Sequence, residues 1–82
     1  MLISVVYKGT PAPEGWTKID RKASMAVLEF DEFVEFLKNN PGKRIIAIPE
    51  VEGYDGEKWR AFVRYYKSLG FCLASLMDVE RG

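Results

Sequence analysis

Apolar positions recur along this chain at two periods, and the switches between them divide it into elements. Residues 2 to 7, LISVVY, are nearly continuous apolar and β-branched, the pattern of a strand covered on both faces. Lys8 to Gly15, KGTPAPEG, is a Pro/Gly-rich loop, with Trp16 expected to fold back as a lid. Trp16 to Asp20 predicts a short strand, Asp20 to Lys22 a turn, and Ser24 to Phe30 a second strand. A competing reading merges SMAVLEF into the helix that follows. Asp31 as an N-cap, with Glu32 and Glu35 close behind it, favours the strand.

The period then changes to that of a helix. DEFVEFLKNN places Phe30, Phe33, Val34 and Leu37 on one side, with Phe36 widening the stripe and Glu32, Glu35 and Lys38 outward. Asn39, Asn40, Pro41 and Gly42 end it. KRIIAI, residues 43 to 48, is the next strand, stopped by Pro49, and the loop EVEGYD leads onward. The strongest local signal is DGEKWRAFVRYYKSLG. Asp55 is placed to cap its helix, Glu57 meets the dipole in the first turn, and Gly70 suits the left-handed residue past the end. Trp59, Phe62, Val63, Tyr66 and Leu69 form its apolar stripe, flanked by Arg60, Arg64 and Lys67. FCLASL, residues 71 to 76, returns as a last strand, and MDVERG reads as a short extension.

The chain therefore reads as one α/β domain over residues 1 to 82: a small mixed sheet of four to five strands with two helices on one face. Two successive strand–helix–strand units imply parallel pairing with both helices on the same side. Yet LISVVY, KRIIAI and FCLASL are apolar at alternating and intervening positions alike, so something must cover the other face. A second copy of the chain is the simplest cover at this length, which predicts a homodimer.

Composition narrows the chemistry. With 48% apolar and 13% aromatic residues the chain is expected to fold, and no apolar run is long enough to span a bilayer. LISVVY, with nothing basic before it and no cleavage pattern after it, reads as a strand and not as a signal peptide, so the expected location is cytoplasmic, with no membrane partner. Histidine is absent and Cys72 is the lone cysteine, which removes imidazole chemistry and thiolate metal clusters; FCLASL suggests that Cys72 is a buried small apolar residue. The glycines of residues 8 to 15 lack the Gly-Lys-Ser/Thr and the strand-to-helix setting of a phosphate loop, and no cofactor is expected.

Twelve basic residues balance twelve acidic ones, which disfavours a surface that is basic throughout but leaves a local patch open. Arg60, Arg64, Tyr65 and Lys67 on helix 56–69 are the residue types that grip phosphates and stack bases. The bland alternative is a solvated, partly paired face, with Trp59 and Tyr66 in the core; Tyr65 is the residue that alternative explains least. At the carboxyl ends of the strands Glu29, Asp31, Glu50, Glu52, Asp55, Asp78 and Glu80 form an acidic set that either caps and solubilises or holds a magnesium ion.

Ile19-Asp20-Arg21-Lys22 resembles the acid-x-lysine of the PD-(D/E)xK nuclease-like fold, and KRIIAIPE, a helix and LGFCLASL resemble the later half of that core. The resemblance implies that Asp20 ligates a magnesium ion, with Glu50 as its companion, and that Lys22 orients the attacking water. Without histidine, a nucleophile constellation or a cofactor loop, the leading expectation is a non-enzymatic interaction module that self-associates and binds a protein partner. A nucleic-acid-binding module using helix 56–69 comes second, and a metal-dependent nuclease using Asp20 and Lys22 third.

Overall fold

The computed structural model describes residues 2–50 and 56–74. Strand β1 is Leu2–Lys8, β2 Thr17–Asp20, β3 Ala23–Glu29, helix α1 Phe30–Asn39, β4 Arg44–Pro49, α2 Glu57–Ser68 and β5 Leu73–Ala74. The strands form one five-stranded mixed sheet in the order β2-β3-β1-β4-β5. β1 pairs antiparallel with both β3 and β4, β2 pairs antiparallel with β3, and β4 pairs parallel with β5. The end of the expected last strand, residues 75 and 76, and the extension after it lie outside the described residues.

The expected parallel pairing holds only for β4 and β5. β3 and β4 do run parallel, but β1 stands between them as the antiparallel neighbour of each. The crossover through α1 steps over one strand, and the nearly continuous apolar run of β1 takes the position where both of its edges are hydrogen-bonded.

Alternation along β1 then decides the layers. Ile3, Val5 and Tyr7 are 0%, 0% and 5% exposed, whereas Ser4 and Val6 on the opposite face are half-buried. Ile3, Val5 and Tyr7 join Ile45 and Ala47 of β4, Leu73 of β5, Phe33 and Leu37 of α1, and Trp59 and Val63 of α2 in one buried cluster. Both helices therefore cover the same face. Aromatic rings bind the helices to each other: Phe62 of α2 lies 5.5 Å from Phe30 and 6.1 Å from Phe33 of α1, and Trp59 lies 6.3 Å from Phe33. Trp16 does fold back, its ring 4.7 Å from Phe36 and edge-on to Tyr7.

The helix ends differ from expectation. Helix α1 starts two residues early, with Glu29 and not Asp31 as its N-cap. The Glu29 backbone N–H donates to Glu32 Oε1 at 3.2 Å, one half of a capping box, so Asp31 falls inside the first turn and interacts with the dipole instead. Gly56 is the N-cap of α2, and Asp55 lies outside the described residues. Leu69 is not part of the buried stripe: it is the C-cap and 55% exposed, because the chain turns away there. Gly70 has φ +96° and donates to Lys67 O at 3.0 Å, Phe71 N–H donates to Tyr66 O at 3.1 Å, and the rings of Phe71 and Tyr66 meet edge-on at 5.7 Å. This is a Schellman closure with its hydrophobic contact.

Two residues of this packing make good stability probes. A Cβ at Gly70 would meet nothing within 4 Å, so Gly70→Ala carries only the left-handed backbone penalty and should lower stability by about 1–2 kcal/mol in denaturant unfolding. Ser24, 0% exposed, buries an Oγ with no hydrogen-bond partner among the described residues. Ser24→Ala should therefore leave stability unchanged or raise it by up to about 1 kcal/mol, where a buried hydrogen-bonded serine would lose about that amount.

Candidate functional site

Among the described residues, the two helices cover one face of the sheet and the strands alone build the other. The register places Leu2, Ser4, Val6 and Lys8 of β1, Ala23, Met25, Val27 and Glu29 of β3, and Arg44, Ile46 and Ile48 of β4 on this open side. Its middle is apolar. Met25 and Val27 are 37% and 47% exposed and Leu2 is 43% exposed, beside the half-buried Val6 and Ile48; Ile46, at 8%, is the deepest of the set. Scattered apolar side chains on a surface need no explanation, but Met25, Val6 and Ile46 are direct cross-strand neighbours, with Val27 and Ile48 either side of Ser4 in the next row, opposite a helix-covered core.

Strand polarity sorts the charges of this face. β3, β4 and β5 run in one direction and β1 in the other. Where β3 and β4 end lie Glu29, paired in register with Leu2, and Glu50, whose backbone N–H donates to Leu2 O at 2.8 Å. The Ser4 hydroxyl donates to Glu50 Oε1 at 2.6 Å, which fixes this carboxylate on the open side. At the opposite end Lys8 pairs with Arg44, and Lys43 adjoins it. Among the described residues, zero net charge thus conceals a face with Glu50 held at one end and Lys8, Arg44 and Lys43 at the other, where Asp20 is the one carboxylate in register beside them.

The cationic flank of α2 lies elsewhere, on the outer side of the helical layer. Arg60, Arg64, Tyr65 and Lys67 are all exposed, with Tyr65 at 59% and its ring edge-on to Tyr66 at 5.3 Å. The helix aligns Arg60, Arg64 and Lys67 in one stripe and turns Tyr65 about 100° away from Arg64, while Trp59 and Val63 are buried and Phe62 and Tyr66 half-buried.

Asp20 and Lys22 meet at the tip of the β2–β3 hairpin, where Asp20 Oδ1 accepts the Lys22 backbone N–H at 2.8 Å. That contact occupies one carboxylate oxygen in closing the turn. With Arg21 they line a shallow depression of about 380 Å³ that is open to solvent. Asp20 and Glu50 do not come together. Asp20 lies at the Lys8–Ala23 end of the sheet and Glu50 beyond Pro49 at the Leu2 end, about 20 Å away along β1. Among the described residues no group of three His, Cys, Asp or Glu side chains is placed to hold a metal ion. Glu52, Asp55, Asp78 and Glu80 lie outside the described residues. No helix among the described residues is long and apolar enough to cross a membrane.

Cys72 is exposed and not buried. Its carbonyl accepts from Ile45 N–H at 2.9 Å, so its backbone continues the sheet, but β5 is an edge strand, and only Leu73 of the Cys72–Leu73 pair points into the core. The exposed Met25 and Val27 are functional candidates that sequence reasoning missed. Their signal lies in ASMAVLE, a strand with apolar residues of both parities, but the face they occupy depends on pairing with β1.

No protein-family model, no curated protein and no solved structure matches this chain.

The hairpin geometry yields a test of what Asp20 does. Asp20→Asn retains a carbonyl oxygen for the Lys22 N–H and should change stability by less than about 0.5 kcal/mol, whereas Asp20→Ala should cost about 0.5–1.5 kcal/mol in the same denaturant experiment.

Proposed function

We propose that this chain is a non-enzymatic interaction module that associates through the open face of its sheet, with self-association as its first mode. The observation that carries this reading is the row of Met25, Leu2 and Val27, which are 37%, 43% and 47% exposed opposite a face that two helices already cover. A sheet whose second face carries apolar side chains in water gains about 25 cal/mol for each Å² that a partner removes from solvent. The open face is on the order of 500 Å² of flat sheet by strand spacing and rise, below the ~800 Å² per partner of a standard interface. Association in the micromolar range is therefore the expectation.

Sedimentation equilibrium on the full chain tests it. The wild type should be a monomer–dimer mixture, and Val27→Glu, which puts a carboxylate in the middle of the apolar row without touching the core, should raise the dissociation constant more than about tenfold at unchanged thermal stability. A wild type that stays monomeric at concentrations on the order of 10⁻⁴ M overturns the reading.

A second reading rests on Tyr65, 59% exposed on α2 next to the stripe of exposed Arg60, Arg64 and Lys67. An exposed ring among guanidinium and ammonium groups has the chemistry of a base-stacking platform on a phosphate-binding flank. Titration of labelled oligonucleotides at two salt concentrations tests this reading. Binding should weaken steeply with salt, and the log–log slope should fall by about 0.9 for each duplex phosphate that Arg60→Ala/Arg64→Ala no longer neutralises. No binding at low salt removes it.

A further inference from the structure

We infer that a second copy of this chain covers the open face with its strands reversed, related by a two-fold axis lying in the interface and perpendicular to the strands, so that the acidic end of each copy sits over the basic end of the other. This inference rests on the self-association proposed above and adds the orientation. Three observations support it.

Among the described residues the open face is apolar in the middle apart from Ser4, and its charges lie at its two ends along the strands. Glu50 marks one end, beside Glu29, whose carboxylate caps α1; Lys8 and Arg44 mark the other, about 20 Å away, with Asp20 of the hairpin tip in register beside them, and Ser4, Val6, Met25, Val27, Ile46 and Ile48 lie between. Second, this charge belongs to the face itself. Lys8 and Arg44 are cross-strand partners in register with the open-side residues, and the 2.6 Å hydrogen bond from Ser4 holds the Glu50 carboxylate on the same side. Third, a closed pair of identical subunits must be isologous, and a face-to-face sheet pair has only two such arrangements that keep the strands aligned. An axis parallel to the strands lays basic end on basic end and acidic on acidic. An axis perpendicular to them turns one copy end for end and lays the Arg44 and Lys8 end over the Glu50 end of the other.

The apolar middle serves both arrangements equally, so it cannot choose between them. The charges choose. Like charges juxtaposed across an interface are penalised, opposite ones fix register and speed encounter, and both effects occur twice in a two-fold pair. The pattern also specifies against other outcomes: sliding one copy along the strands takes the basic end off the acidic one, and the charged ends bound the patch so that it does not extend into a continuous stack.

The experiment compares the wild type with Arg44→Glu and with Arg44→Glu/Glu50→Arg by sedimentation equilibrium of the full chain at low and high salt, with far-UV circular dichroism as the folding control. Both positions are exposed, at or just past a strand end and outside the core. The inferred arrangement predicts that Arg44→Glu raises the dimer dissociation constant by roughly tenfold at low salt, that the double variant restores most of the affinity, and that added salt narrows all these differences. If Arg44→Glu instead tightens the dimer, copies meet like end to like end; the inference fails while self-association stands. If all three proteins dimerise equally at both salts, charge does not orient the pair and the inference fails. A monomeric wild type overturns the self-association itself, and the inference with it.

Discussion

The structure depends on the placement of β1 between β3 and β4. From there its alternate residues Ile3, Val5 and Tyr7 form the floor on which both helices rest, and its backbone is hydrogen-bonded along both edges. Phe33 and Leu37 reach this floor from α1, Trp59 and Val63 from α2. Because both helices share one floor, they also meet each other, and the contacts linking Phe30, Phe33, Trp59, Phe62 and Tyr66 make one aromatic seam. A chain of 82 residues has little apolar surface to spare, and concentrating large rings in one seam buries much of it in few side chains.

The same placement creates the open side. The chain moves from β3 to β4 to β5 across the sheet without reversing, and both crossover helices lie on one layer. What is left opposite is not a solvent-adapted face. A one-sided antiparallel sheet ordinarily alternates apolar and polar residues, whereas here Val6, Met25, Val27, Ile46 and Ile48 occupy the side away from the helices. This departure from the pattern that the fold would dictate is what the proposed association rests on.

Strand polarity also turns a neutral composition into an ordered one. β1 runs against its two neighbours, so its last residue Lys8 stands beside the first residue of β4, Arg44, and its first residue Leu2 beside Glu29 and Glu50. The carboxylate at position 20, by contrast, is engaged in closing a hairpin. An Asp-x-Lys spelling serves a turn as readily as a metal site, because an aspartate oxygen two residues before a backbone N–H is the geometry of an Asx turn. Tyr65, which a purely structural reading of α2 explains least, is exposed yet rests edge-on against Tyr66.

Element order, fold class and most of the buried set are legible in the amino-acid pattern. Period-two and period-3.6 signals are written locally, and spacing is enough to place Phe33, Leu37, Trp59 and Val63 on inward stripes. Gly70 is legible for the same reason, as a residue just past a strong helix. Cap identity is less so: Asp31 is the better N-cap by residue type, yet Glu29 takes the position in a capping box with Glu32, where β3 releases the chain. Four features emerge only once the strands are assembled. β1 lies between β3 and β4, Cys72 faces water beside an edge strand, Asp20 and Glu50 stand at opposite ends of the sheet, and Lys8 and Arg44 are neighbours far from Glu50. All of these are consequences of long-range strand pairing. A strand's own residues specify its two faces, but which strand lies beside it is set by the joint packing of elements distant in the chain, and no local pattern encodes that choice.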